Sequence, residues 1–408
     1  MRKTGDLRGG ARITAEAAWQ LTLIAAVQVL AMATWFSVSA VVPSLRHDWG
    51  LGSGAAGLLT VAVQLGFVAG ALGSALGNLP DVVPAHRLMA GSAVVAAATT
   101  ALAAVLADGL PSALPLRFLT GVALAGVYPT GLKLVTTWFA RGRGLALAVM
   151  VGALTLGSAL PQLLSGLALR WELVLVGASA AAATAGVVAL LGVRPGPLGA
   201  PAPPIDVRYA VTVFRERPSR LVSLGYFGHM WELYAMWTWL PAIVAASLAA
   251  GRGTLPFALS AGVVAFMSIG VAGFAGCLLA GRWSSRHGAV HTAVVAMVVS
   301  AGSCVAAALS FGRSPYLLLL VCLVWGASVI ADSAMFSTAL SRTVDHRYVG
   351  TALTIQTAIG YTITVVSIQM FPVVVGVAGW RVAVLLLAMG PVLGAISMQR
   401  LSRADRLR

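Results

Sequence analysis

Charged side chains are scarce in this sequence. Asp, Glu, Lys and Arg together make up 10% of the 408 residues, whereas hydrophobic residues make up 59%. A soluble protein spends about a quarter of its residues on charge, so an ordinary soluble fold is excluded. The composition indicates that lipid is the solvent for most of the chain.

Cysteine and lysine are also rare, and each shortage excludes a kind of chemistry. Cys277, Cys304 and Cys322 all lie in apolar stretches, and no C-x-x-C pair occurs. Disulfide frameworks and thiolate metal sites are therefore not expected. The two lysines, Lys3 and Lys133, do not belong to a G-x-x-x-x-G-K-[ST] phosphate loop, so no nucleotide-driven motor is predicted. We expect neither a metal nor a cofactor.

Long apolar runs dominate what is present. A hydrocarbon core about 30 Å thick needs about 20 apolar residues per helix. The twelve runs cover residues 19–43, 55–79, 86–107, 113–138, 144–168, 171–193, 219–245, 256–281, 289–311, 315–340, 348–375 and 379–398. The sequence therefore predicts an all-α integral membrane protein with twelve transmembrane helices, called spans 1 to 12 below.

One loop separates the spans into two groups of six. Residues 194–218 combine a cluster of prolines with the charged stretch Arg215, Glu216 and Arg217, which is typical of a linker. The predicted domains are a tail (1–18), a six-helix bundle (19–193), the linker (194–218), a second six-helix bundle (219–398) and a second tail (399–408). The two halves also repeat each other, because Gly77, Gly121 and Trp171 recur about 204 to 209 residues later as Gly281, Gly326 and Trp380.

The distribution of positive charge predicts the orientation of the chain. If the N-terminus lies in the cytoplasm, the loops on that side and both tails hold 20 of the 27 basic residues, and the opposite loops hold six. Short loops rich in Lys and Arg stay in the cytoplasm. We therefore expect a multi-pass protein of the inner (cytoplasmic) cell membrane with both termini and the linker in the cytoplasm. The basic residues are scattered singly, so no nucleic-acid partner is expected.

This arrangement of six plus six spans around a basic linker resembles the major facilitator superfamily of secondary transporters. The family's G-x-x-x-D-R-x-G-R loop signature is matched after span 2 by Gly77 and Asp81, and after span 8 by Gly281 and Arg286. The resemblance implies two pseudo-symmetric halves and a gating role for Gly77, Asp81 and Arg286. The family's R-x-x-x-G signature in span 4 is also present, with Arg117 as its arginine.

Two short stretches are similar to bacterial nitrate/nitrite-transporter-like and cyanate-permease-like members. They are Trp35-Phe36-Ser37 in span 1 and Gly126-Val127-Tyr128-Pro129 in span 4. The nitrate carriers of the family hold their anion with an arginine in each of spans 2 and 8. This chain has Gln64 near the middle of span 2 and Met267 and Ser268 in span 8, so nitrate itself is not expected as the substrate.

Ionisable residues deep inside the spans are few and therefore informative, because each one costs at least a few kcal/mol and persists mostly where it faces a cavity or a partner. They are Glu232 and His229 in span 7, Asp332 in span 10, and Lys133 and Arg117 in span 4. In the family these helices, with span 1, line the central substrate cavity. His229, Glu232 and Trp239 share one face of span 7.

These residues predict two kinds of site. Glu232 is the predicted carrier of a coupling proton, and His229 is predicted to adjust how readily Glu232 binds that proton. Asp332 is the alternative carrier. The predicted substrate-binding residues are Lys133, Arg117, Tyr128, Trp35, Trp239 and Gln356. Structural roles stay open for several of them: Lys133 can extend to the membrane surface, Arg117 can position a neighbouring helix, and Glu232 can bond a neighbouring helix.

Three functions follow from these observations. The first is a secondary transporter that moves a small anionic solute by alternating access, coupled to protons. The second is a proton-linked efflux pump for amphiphilic compounds, which the aromatic residues of span 7 favour. The third is a membrane receptor or enzyme, which the lack of H-E-x-x-H and G-x-S-x-G motifs disfavours. An enzyme is thus not predicted. The expected partners are the solute, protons and the lipid bilayer, with the protein as a monomer.

Overall fold

The regular structure of the described chain is entirely helical, as the apolar runs predict. A computed structural model describes residues 15–77, 79–139, 142–167, 169–198, 214–251, 253–256, 259–345 and 348–406. The first helix of each of spans 1 to 6 is, in order, Ala15–Met32, Ser53–Leu76, Ala85–Leu106, Leu110–Leu124, Arg143–Gly166 and Trp171–Gly192. Spans 7 to 10 begin with Arg217–Gly251, Ala261–His287, Ala289–Ser310 and Pro315–Ala331.

The last two crossings form one long helical stretch. Within the described residues, 11 helices are long and apolar enough to cross a membrane, and the last of these, Val349–Arg403, has 55 residues. One crossing needs only about 20 residues. Gly379 breaks the stretch with a φ of 83°, a conformation that glycine adopts without steric cost. The described residues therefore form twelve crossings, and the predicted fold class is confirmed.

Three spans predicted as continuous are broken in the structure. Span 1 leaves the helix after Met32 and resumes as Val42–Asp48, with one turn of 3-10 helix between. Span 4 resumes as Tyr128–Trp138 after a break at residues 125–127, and span 10 resumes as Ser333–Thr343 after a break at Asp332. Apolar residues continue through the first two breaks, so hydropathy alone does not reveal them.

The repeat seen in the sequence has a counterpart in the packing. A side chain on Gly121 of span 4 would collide with the backbone oxygen of Val63 in span 2. Likewise, a side chain on Gly326 of span 10 would collide with the backbone oxygen of Ser268 in span 8. Small residues permit such close helix approaches in membranes. Each half therefore contains the same backbone-to-backbone contact between corresponding spans.

The two halves meet along spans 2 and 11 and along spans 5 and 8. Gln64 of span 2 accepts a hydrogen bond of 2.7 Å from the Thr364 hydroxyl of span 11. Ser260, which caps the start of span 8, donates a hydrogen bond of 3.1 Å to the backbone oxygen of Gly166 at the end of span 5. These contacts join the halves near the middle of span 2 and at the ends of spans 5 and 8 opposite the linker.

The linker side of the protein is the side where the Leu198 backbone N–H donates a hydrogen bond to the Thr137 backbone oxygen, at the end of span 4. The contact between spans 2 and 11 becomes looser toward that side. On the face of span 2 that meets span 11, Gly57, Val61 and Gln64 are buried. One turn further and beyond, Val68, Ala71 and Ala75 are only half-buried. The packing between spans 2 and 11 is therefore looser on the linker side.

Candidate functional site at the interface of the two halves

Six aromatic side chains meet at the interface of the two halves. This aromatic cluster consists of Trp35 and Phe36 of span 1, Phe67 of span 2, Tyr234 and Trp237 of span 7, and Tyr361 of span 11. The ring of Trp35 lies 4.8 Å from that of Phe67 and 5.8 Å from those of Tyr234 and Tyr361, measured between centroids. All six side chains are buried. The cluster therefore fills the interface between the halves at this depth.

Hydrogen bonds brace the aromatic cluster on the span 11 side. The hydroxyls of Tyr234 and Tyr361 are 2.8 Å apart, which joins spans 7 and 11. Gln64 is one turn from Phe67 on span 2, and Thr364 is one turn from Tyr361 on span 11. Their hydrogen bond thus joins the two halves next to the cluster.

Several N–H donors in and beside the cluster have no hydrogen-bond acceptor within the described part of the chain. They are the indole nitrogens of Trp35 and Trp237 and the amide nitrogen of Gln64. Trp239 differs, since its indole donates to the backbone oxygen of Ile368 at 3.1 Å. A buried donor without a partner costs about 1–3 kcal/mol and calls for an explanation.

Arg117 holds the broken part of span 1. Its Nη2 donates to the backbone oxygens of Thr34 at 2.8 Å and Trp35 at 2.7 Å. The residue is 1% exposed. These oxygens lack helical partners because span 1 ends at Met32, and the guanidinium replaces those partners. Arg117 therefore contacts the backbone of the broken part of span 1 and fixes the position of Trp35.

We expect Arg117→Lys to lower the free energy of unfolding by about 1.5–3 kcal/mol, because an ammonium group cannot reproduce the forked contact to two carbonyl oxygens. Thermal unfolding of the purified protein in detergent measures this loss. Arg143→Lys is the matched control, since Arg143 is exposed and contacts a single backbone oxygen, that of Thr136. Equal unfolding temperatures for the two variants would contradict the role of Arg117.

Glu232 points into the interior of the second half. Its Oε1 accepts hydrogen bonds from Ser300 at 2.8 Å and from the Trp325 indole at 2.6 Å, and the Cys304 thiol lies 3.0 Å away. Ser300 and Cys304 belong to span 9, and Trp325 belongs to span 10. Glu232 is 1% exposed. It therefore links three helices of one half.

His229 pairs with Asp332. Its Nδ1 lies 2.7 Å from Asp332 Oδ1, and the two side chains are 1% and 3% exposed. The sequence placed His229 beside Glu232 on one helical face, but its ionisable contact is with span 10, at the residue where that span is broken. Glu232 and Asp332 thus both connect span 7 to span 10, one through Trp325 and the other through His229. The second half therefore contains a cluster of three buried ionisable side chains, those of Glu232, His229 and Asp332.

The other predicted substrate residues are spread over the interface. Tyr128 and Lys133 are half-buried on the second piece of span 4. Gln356 is buried and donates to the Ser223 hydroxyl at 3.4 Å. Trp239 stacks on Phe371, with ring centroids 5.8 Å apart. The structure thus brings Trp35 into the aromatic cluster and places Trp239 outside it.

The predicted gating residues lie on the linker side. Gly77 ends span 2, and Arg286 is exposed in the last turn of span 8. Asp81 belongs to the short helix Leu79–Val82, but its side chain lies outside the described residues.

Sequence reasoning missed Phe67, Tyr361 and the partners of Glu232. Phe67 and Tyr361 are single aromatic residues in apolar spans, so no local pattern marks them. Ser300 and Cys304 are spaced i, i+4 on span 9, which places them on one helical face. That spacing was the one available signal, and the sequence does not say which residue they face.

Buried ionisable side chains inside two six-helix halves are features of a polytopic membrane transporter. The chain belongs to the Major Facilitator Superfamily, whose family model matches residues 24–368. This confirms the family predicted from the sequence and makes the protein a secondary transporter, not an enzyme. A search of curated proteins finds no match.

Three solved structures show the same fold. A nucleoside transporter, NupG, superimposes with a TM-score of 0.72 at 14% identity, covering 94% of this chain and 99% of that one. The human organic anion transporter MFSD10 (TETRAN) gives 0.69 at 15% identity, with 94% and 99% covered. A bacterial homologue of the human lysosomal transporter Spinster, in an inward-facing and unoccupied conformation, gives 0.69 at 16% identity, with 96% and 98% covered.

Proposed function

We propose that this transporter moves a small anionic solute by alternating access and couples that movement to protons. The observation that supports proton coupling is the buried group of Glu232, His229 and Asp332 in the second half. Ionisable side chains inside membrane helices mark ion pathways and proton relays. Membership of the superfamily supplies the alternating-access fold.

Glu232 is the proposed proton carrier. A protonated carboxyl keeps Oε1 as an acceptor for Ser300 and Trp325, so the carrier can load a proton without losing these two bonds. The pair of His229 and Asp332 is the alternative carrier. Because Asp332 lies at the break in span 10, a change in the charge of this pair acts where that span can bend.

Lys133 supports an anionic solute. It is a half-buried cation on the second piece of span 4, and the unpartnered N–H groups in and beside the aromatic cluster also favour a ligand that accepts hydrogen bonds. Within the described spans, the buried carboxylates Glu232 and Asp332 are engaged inside the second half. The unpartnered N–H groups in and beside the aromatic cluster are therefore the ones available to a solute.

We expect Lys133→Gln to weaken binding of a transported anion by more than about 1 kcal/mol, the upper value for an exposed ion pair. Titration of the purified protein with the anion measures this change. Arg143→Gln is the matched control, since it removes an exposed basic residue from the linker side and should leave binding unchanged. Equal affinities for Lys133→Gln and the parent would mean that Lys133 extends to the membrane surface instead.

A proton-linked efflux pump for amphiphilic compounds is the second candidate. The aromatic cluster favours it, because six buried rings form an apolar surface for a lipophilic solute. In proteoliposomes with an imposed pH gradient, the first proposal predicts accumulation of small anions and not of lipophilic cations. Transport of lipophilic cations alone would favour the efflux pump.

We also propose the orientation and assembly that the sequence predicts. Both termini lie in the cytoplasm of the cell, the protein resides in the inner membrane, and the linker side faces the cytoplasm. Gly77, Asp81 and Arg286 would then gate the cytoplasmic entrance, and the protein would function as a monomer.

A further inference from the structure

The unpartnered donors of the aromatic cluster share one chemical character. Trp35, Trp237 and Gln64 each leave an N–H group without an acceptor in the described residues, while the Gln64 oxygen is already bonded to Thr364. An indole nitrogen donates and never accepts. These three groups therefore favour a ligand that brings hydrogen-bond acceptors.

The residues that carry the three donors border the same rings. Trp35 contacts Phe67, one turn from Gln64, and it also contacts Tyr234 at a centroid distance of 5.8 Å. Tyr234 in turn lies 5.4 Å from the ring of Trp237. Donors from spans 1, 2 and 7 thus border one set of rings, at the place where the halves meet.

The rings add a second preference. Aromatic side chains hold a planar ring by offset or edge-to-face contacts. A planar ring that carries a carboxylate satisfies both preferences, since its oxygens accept from N–H groups and its ring packs against the cluster. A lipophilic ammonium ion satisfies only the second, because it brings donors where donors are already in excess.

From this geometry we infer that the aromatic cluster binds the transported solute and that the solute is a planar aromatic carboxylate. This inference rests on the proposed transport of an anion and names its class and its site. The indole N–H groups of Trp35 and Trp237 and the amide of Gln64 receive the carboxylate. Arg117 is a positioning residue for this site, because it fixes the backbone of Trp35.

Binding of benzoate to the full chain in lipid nanodiscs tests the inference, with benzylammonium as the probe of equal size and opposite charge. We expect benzoate to bind and benzylammonium to bind at least tenfold more weakly. Trp35→Phe and Trp237→Phe keep a ring and remove the N–H group, and each should weaken benzoate binding about tenfold, the loss of one hydrogen bond to a charged group. Their affinity for benzyl alcohol should change little.

Trp239→Phe and Trp231→Phe are the matched controls. Both remove an indole N–H that already has an acceptor, the backbone oxygen of Ile368 or of Leu386. They should lower the unfolding temperature and leave benzoate binding unchanged, whereas Trp35→Phe and Trp237→Phe should leave the unfolding temperature nearly unchanged. Loss of benzoate binding without loss of unfolding temperature indicates a ligand site, whereas the opposite pattern indicates a structural role.

Two results would overturn the inference: equal binding of benzoate and benzylammonium, or parent-like benzoate affinity in both Trp35→Phe and Trp237→Phe. The proposed function would survive either result if a pH gradient still drove another anion, such as acetate, into proteoliposomes. Conversely, tight benzoate binding without any proton-driven uptake would support the site and contradict the coupling.

Discussion

Glu232→Gln should abolish proton-driven accumulation of the solute while leaving its exchange across the membrane largely intact. Glutamine keeps an acceptor oxygen for Ser300 and Trp325 but cannot bind or release a proton. One coupled proton and a gradient of one pH unit supply about 1.4 kcal/mol, or about tenfold accumulation. In proteoliposomes we expect that ratio to fall to about one in Glu232→Gln.

Three comparisons make this result specific. Counterflow exchange in the same proteoliposomes shows whether the variant still binds and moves solute. Glu172→Gln is the matched control, because Glu172 pairs with the exposed Arg170 at the start of span 6 and should accumulate solute normally. Asp332→Asn tests the alternative carrier: full accumulation by Glu232→Gln together with its loss in Asp332→Asn would transfer the role to Asp332 and His229.

The largest loss of stability is expected from a single methyl group on span 2. In Gly66→Ala the new Cβ would collide with the backbone oxygen of Phe118 in span 4. A backbone atom cannot rotate away, so the two helices must separate. We expect a loss of about 3 kcal/mol in the free energy of unfolding, at the upper end for overpacking, and reduced yield of folded protein.

Gly73→Ala, in the same helix, is the control for this substitution. A Cβ at Gly73 would have no described atom within 4 Å, and alanine favours a helix over glycine. Thermal unfolding in detergent should therefore show parent-like or higher stability for Gly73→Ala. Similar destabilisation by both substitutions would mean that helix geometry, and not the contact with span 4, makes these glycines necessary.

The architecture could be predicted because its signals are local. Each span is a run of apolar residues that fits the thickness of the bilayer, and the break at Gly379 falls next to the gap predicted between spans 11 and 12. The few ionisable residues inside the spans were also visible, because charge is so rare elsewhere. His229, Glu232 and Asp332 do share one half of the structure.

The internal geometry could not be predicted because it depends on residues far apart in the chain. The break in span 1 is stabilised by Arg117, which comes about 80 residues later. The pairing of His229 with Asp332, and not with Glu232, is decided by how span 10 packs. Phe67 and Tyr361 meet only after the two halves assemble.

The backbone contacts at Gly121 and Gly326 have a mechanical consequence. Spans 2 and 4 touch without intervening side chains, and so do spans 8 and 10, so neither helix of a pair can slide or tilt without the other. When span 2 moves, the first piece of span 4, Leu110–Leu124, must therefore move with it. Spectroscopic labels on spans 2 and 4 should therefore keep a constant separation throughout the transport cycle, while labels on spans 2 and 11 move apart and together.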